Sequence, residues 1–228
     1  MSLRVSRELV KMGHEVTVVA PYYRNMEKFD AGEQVEIVRF RGYGLGWLRF
    51  FPMFLTARKL IQGADLVLGI NIAYGATMVY FLKRPYLTFA YAYEFLKFGE
   101  GKITEHLRKV YRGSIKTISI SNFTTNALME FGIDEERIKT ILPGAPKALA
   151  VPATTIEAMR ENLKLGRGPL ILAVGRLIPR KGHKTLLKAM QPVVKRYPGT
   201  HLVCVGRGPL MDSLREQAKK LGIAESVR

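Results

Sequence analysis

The run VGRLIPRKGH, residues 174–183, is the stretch of this sequence whose residue types and spacing most readily suggest chemistry. It follows the apolar PLILA and precedes TLLKAMQPVVKRY, whose apolar spacing predicts a helix. In an open parallel sheet, ligands bind beyond the carboxyl ends of the strands. Arg176, just past Gly175, therefore emerges at that edge. Lys181-Gly182 stands at the mouth of the next helix, where free N–H groups and the helix dipole attract an anion. An arginine grips phosphate oxygens as a fork and a lysine adds a mobile point charge, so the pair suits a diphosphate. Ordinary solvated cations in a basic chain are the alternative. His183 is expected to line the same pocket.

A second turn, Gly206-Arg207-Gly208-Pro209, lies between the strand-like HLVCV and a helix. A Gly-x-Gly in that place suggests dinucleotide binding, but Met211 stands where the fingerprint needs a third glycine. A tight turn close to a nucleotide is the preferred reading, with Pro209 as the first helical residue. The histidines show no metal-ligand spacing and there is no Asp-x-Asp, so no metal site and no cofactor are expected. Cys204 lies in an apolar run and reads as core.

The elements that must position these residues alternate. SLRVSRELVKM reads as a helix ended by Gly13, HEVTVVA as a strand and VEIVRF as a strand. A helix over Met53–Ile61, strand DLVLGI, a helix over Tyr74–Leu82 and strand YLTFAY follow. A helix around Ile103–Tyr111, strand KTISI, a helix over Phe123–Phe131 and strand RIKTIL complete the first series. Apolar strands without alternation, separated by helices, predict an α/β fold whose parallel sheets are covered on both faces. Three prolines in PGAPKALAVPAT mark a connection. The division is residues 1–145 as one Rossmann-like domain, 146–165 as linker and a short helix capped by Gly166, and 166–228 as part of a second such domain. The chain opens on a helix and closes after two strands of the second series, so both ends read as cut.

The net charge is +17 over 228 residues, which calls for polyanions nearby, although solubility alone would also account for it. The excess is dispersed: 21 basic against 14 acidic residues in 1–150, and 15 against 5 in 151–228. No nucleic-acid motif is present, and no nucleic-acid partner is expected. No apolar run approaches a membrane span, and the charged N-terminus has no signal-peptide core. A cytoplasmic location is expected, with peripheral attachment to the inner face of the membrane.

VGRLIPRKGHKTLLKAM resembles the donor segment of the retaining GT-B glycosyltransferases (family 4-like) that use GDP-mannose, UDP-glucose or similar donors. VGRGPLMDSLREQAKKLGIAESV resembles their next strand, turn and helix, and KMGHEVTVVAP their N-terminal helix-to-strand junction. The resemblance implies two Rossmann-like domains of GT-B type, the second incomplete. It implies metal-independent transfer of a hexose from a nucleotide-diphosphate sugar to a glycan or lipid-linked acceptor, with retention. Arg176 and Lys181 would hold the donor pyrophosphate, with Gly175, Gly182, His183, Gly206 and Gly208 around it.

Three departures stand out. The family's opening strand and glycine-rich turn precede the start of this chain. Its pair of glutamates would follow the end, so the chain alone is expected to lack turnover. Many relatives carry His-Gly where Tyr91-Ala92 stand, so Tyr91 and Glu94 become the acceptor-side candidates, with core and solvated loop as their alternatives. The segment Arg39–Lys59 has five basic residues, Trp47, Phe50, Phe51 and Phe54, and no acid. It reads as an inward-packed helix with a loop and arginines facing an anionic membrane. A non-catalytic polyanion-binding protein and a dinucleotide oxidoreductase are the competing functions.

Overall fold

The computed structural model describes residues 2–41, 48, 50–145 and 150–228. They fall into two compact units, Met1–Ala145 and Pro146–Arg228.

In the first unit, α1 (Ser2–Lys11) leaves through Gly13 at φ +91°, a conformation that costs glycine nothing sterically. β1 (Thr17–Pro21) and β2 (Glu36–Phe40) pair in parallel, Thr17 opposite Glu36. Between them lies α2 (Glu27–Ala31), a short helix without the apolar period by which sequence reading finds helices. It is held by charge: Arg39 on β2 donates to both Asp30 oxygens at 2.6 and 3.0 Å and to the Pro21 carbonyl at 3.0 Å. Arg7 grips Glu33 in the same way at 2.5 and 2.9 Å. Those hydrogen bonds hold the Asp30 and Glu33 carboxyls below the ordinary carboxylate range.

α3 (Phe50–Gly63) turns Met53, Ala57 and Ile61 inward at helical spacing. Next comes a four-stranded parallel sheet in sequential order: β3 (Val67–Gly69), β4 (Tyr86–Ala90), β5 (Lys116–Ser119) and β6 (Ile138–Thr140). The crossover after β3 begins as a π-helical turn, Ile72–Ala76, and continues as α4 (Thr77–Phe81). The expected start at Tyr74 is therefore late. Packing supplies the reason: a Cβ on Gly69 would meet the Ala76 Cβ at 2.6 Å, so the first turn lies directly on the strand end. α5 (Tyr93–Leu96) and α6 (Lys102–Gly113) follow β4, and α7 (Asn122–Glu130) follows β5.

The rings of Phe95, Tyr111 and Phe131, with centroids 4.9–6.2 Å apart, form the centre of this core. His106 packs on α4. It is half-buried, stacks on Phe81 at 5.6 Å and lies 3.2 Å from the Thr77 hydroxyl. Burial, then Lys109, pushes its pKa down.

The second unit contains α8 (Ala153–Asn162), β7 (Leu170–Val174), α9 (His183–Arg196), β8 (His201–Val205) and α10 (Met211–Lys220). Residues 146–149 of the expected linker lie outside the described residues. α8 ends at Asn162 and the chain first turns left-handed at Lys164 (φ +52°), ahead of Gly166 (φ +56°), so Gly166 is not the cap. Leu187, Met190, Leu214 and Ala218 cover one face of the β7–β8 pair, over Leu202 and with Ile223. The opposite face carries Leu172 and Val174 at 60% and 72% exposure.

Candidate functional site

The β7–β8 ladder runs past both strands. Val174 pairs with Val205. Beyond them the Gly175 N–H donates to the Val205 carbonyl at 2.9 Å and the Leu177 N–H to the Arg207 carbonyl at 3.0 Å. The Leu210 N–H then donates to the Leu177 carbonyl at 3.1 Å. Leu177, 2% exposed, anchors this zipped pair of turns in the core.

The contact requires glycine. A Cβ on Gly206 would lie 1.9 Å from the Gly175 carbonyl oxygen, and one on Gly208 2.3 Å from that of Leu177. Neither glycine has a positive φ; both serve close backbone approach. The Gly-x-Gly is thus accounted for by the packing of one turn on another. Pro209 lies in a turn and not in the helix: the Leu210 N–H bonds back to Leu177, and α10 starts at Met211.

Along β7 the residues alternate, with Leu170, Leu172 and Val174 outward and Ile171 and Ala173 inward. Arg176, beyond the strand end, is exposed, while Leu177 is buried. The loop then makes a single 3-10 turn, Pro179–Lys181, closed by Gly182 at φ +72°, which also sits at the N-cap of α9. The stem of Lys181 lies across Gly175, its Cδ 3.8 Å from where a Cβ would stand, on the side that α9 covers. Arg176 and Lys181 therefore both stand at the strand tip. Neither makes a side-chain hydrogen bond or ion pair among the described residues. His183 is 4% exposed, and neither ring nitrogen has a hydrogen-bond partner among the described residues, so its ring packs inward.

The acceptor-side candidates lie in the first unit, at the ends of β3 and β4. Ala92 has φ +70° and ψ −45°, and the Tyr93 N–H donates back to the Tyr91 carbonyl at 3.0 Å. This is a γ-turn in a strained region for a residue with a side chain. Glu94 braces it: Oε1 accepts from the Tyr91 N–H at 2.6 Å and from the Tyr111 hydroxyl at 3.1 Å. Burial, then Glu94, raises the pKa of both tyrosines, so the phenols remain donors. Tyr91 and Glu94 share a cleft of about 130 Å³ with Ile70, Asn71 and Ile72. Asn71 was missed in the sequence, where its one signal is a polar residue directly after a buried strand. Its Oδ1 accepts from the Tyr74 N–H at 3.3 Å, and no described residue accepts from its amide NH₂.

Residues 2–148 match the model of Glycosyltransferase Family 4, and residues 155–228 that of Glycosyl transferases group 1. The GDP-mannose-dependent alpha-(1-6)-phosphatidylinositol monomannoside mannosyltransferase of Mycolicibacterium smegmatis is 26% identical over 96% of this chain and 59% of its own length. The D-inositol 3-phosphate glycosyltransferase of Acidothermus cellulolyticus is 29% identical over 56% of this chain and 32% of its own. The chain thus spans at most about three-fifths of these relatives. Among solved structures, Anabaena HepE in complex with UDP and glucose superposes with a TM-score of 0.73 at 18% identity, over 93% of this chain and 60% of HepE. WaaG, a glycosyltransferase involved in lipopolysaccharide biosynthesis, gives 0.64 at 17% identity, over 99% of this chain and 64% of its own. The α/β architecture is that of the GT-B glycosyltransferases. With the family model matching residues 2–148 of 228, the chain belongs to glycosyltransferase family 4.

Proposed function

We propose that this chain carries the diphosphate-gripping turns and the acceptor cleft of an enzyme that moves a hexose from a nucleotide-diphosphate sugar to a hydroxyl of a glycan or lipid-linked acceptor. The observation that carries the reading is the strand tip at Gly175. Two exposed cations without partners among the described residues stand at it, and one of them sits at the entry of a 14-residue helix. As the bond between sugar and phosphate breaks, negative charge grows on the leaving diphosphate. Cations already in place favour that state over the ground state without reorganising. On this reading Arg176 and Lys181 supply the charge without a metal, and the anomeric configuration is retained.

Calorimetric titration with UDP and GDP tests the proposal. Arg176→Ala and Lys181→Ala should each weaken binding about tenfold or more, as expected for charge-assisted bonds. Unchanged affinity in both variants would overturn it. In the complete enzyme, transfer should survive a chelator.

One observation supports a membrane-surface acceptor. Phe51 and Leu55 on α3 are 59% and 66% exposed, next to exposed Arg58 and Lys59. Arg39 takes no part, being held by Asp30. Trp47 and the Phe50 side chain lie outside what the structure describes. No described helix is long and apolar enough to cross a membrane. Sedimentation with anionic but not neutral liposomes, lost in Phe51→Ser/Leu55→Ser, is the expected result. Binding to neither would remove the membrane from the proposal.

A further inference from the structure

We propose that Arg207 is a third cation of the diphosphate site, presented beside Arg176 by the register of the two zipped turns. This rests on the reading of Arg176 and Lys181 given above and adds Arg207 to it.

The register carries the argument. Val174 pairs with Val205, and the ladder continues through the bonds from Gly175 to Val205 and from Leu177 to Arg207. Arg176 thus stands opposite Arg207. In a parallel pair, residues in register point to the same face, and neighbouring strands run about 4.8 Å apart. Val174 and Val205, two residues before, both point to the open face, exposed by 72% and 50%. The two arginines therefore stand at opposed positions of the zipped turns, and both are exposed.

Guanidinium groups do not deprotonate in proteins, so these are two permanent like charges at strand spacing. Neither has a carboxylate partner among the described residues. Asp212, in the first turn of α10, lies within ion-pair distance of Arg215, at 3.7 Å. Elsewhere in the chain, Arg7, Arg39 and Arg108 are all matched with acids. Nor are the turns free to splay and relieve the repulsion. Gly206 and Gly208 are pressed against the Gly175 and Leu177 carbonyls, and Leu177 is locked in the core. A rigid pair of adjacent guanidiniums without counter-charge is built for a multiply charged anion. With Lys181 at the same strand tip, it matches a diphosphate better than a monophosphate. Arg207 would grip one phosphate together with Arg176, and Lys181 would reach the other.

Titrating the 228-residue chain with inorganic pyrophosphate and, separately, with orthophosphate tests this. Arg207→Ala should weaken pyrophosphate binding about tenfold and orthophosphate binding much less, and Arg207→Lys should restore part of the loss. If Arg176→Ala and Lys181→Ala weaken pyrophosphate binding while Arg207→Ala does not, the inference falls and the diphosphate site stands. If Arg207→Ala alone weakens it, the shared site is refuted together with the pairing to Arg176. Equal losses for the two anions in Arg207→Ala would also overturn the inference, because they would mark a general contribution of charge. Thermal unfolding of each variant separates lost binding from lost fold.

Discussion

At the scale of single residues, the acceptor-side turn shows how local strain is stored beside a candidate site. Ala92 at φ +70° sits where glycine would be at ease, and Glu94 binds the turn shut through Oε1. Ala92→Gly should raise stability by up to about 1 kcal/mol, read as a higher melting temperature. A fall would show that the buried methyl group outweighs the strain. Glu94→Gln keeps an oxygen for the Tyr91 N–H but removes the charge, so in the complete enzyme it should impair the use of acceptor and leave nucleotide binding unchanged. Loss of nucleotide affinity in that variant would contradict the division of roles. Tyr91 becomes a candidate through the resemblance to the family's His-Gly position, and Glu94 as the carboxylate beside it. The sequence could not show that Ala92 is strained or that Tyr111, seventeen residues beyond Glu94, reaches the same carboxylate.

At the scale of elements, the two glycine types in the second unit respond differently to substitution. Gly206→Ala and Gly208→Ala drive a methyl into a backbone carbonyl at 1.9 and 2.3 Å. Each should cost several kcal/mol, in the range of severe overpacking, and abolish anion binding by parting the turns. Gly182→Ala meets open space at φ +72°, so it should cost only about 1–2 kcal/mol. Equal melting temperatures for all three would contradict the zipped geometry.

The β1–β2 layer depends on charge in a way that pH reveals. Asp30 and Glu33 are held below their ordinary range by hydrogen bonds from Arg39 and Arg7. Their contribution is complete above the unfolded-state carboxylate pKa and is lost as pH falls toward the depressed folded values. Hydrogen exchange in β1 and β2 should therefore quicken on acidification. Asp30→Asn/Glu33→Gln should be less protected at neutral pH and flatten that response, whereas an unaltered profile would remove the ion pairs from the account.

At the scale of the whole molecule, the order of strands and helices could be read from apolar runs and their breaks, because buried parallel strands and amphipathic helices leave different periods in the sequence. What could not be read depends on contacts between distant segments. The π-helical turn follows from Gly69 meeting Ala76, the inward turn of His183 from the packing around α9, and the place of Arg207 from strand register. The open face of β7, with Leu172 and Val174 exposed, should bind a hydrophobic dye and promote self-association of the 228-residue chain. Leu172→Thr/Val174→Thr should reduce both with little change in melting temperature. Unchanged dye binding would show that this face is covered in solution. The most direct test of the central claim is an amide NMR titration of the chain with UDP or GDP. The account predicts the largest shifts in two segments at once, Gly175–His183 and Gly206–Gly208. Shifts confined to the first unit, or none at millimolar nucleotide, would contradict it.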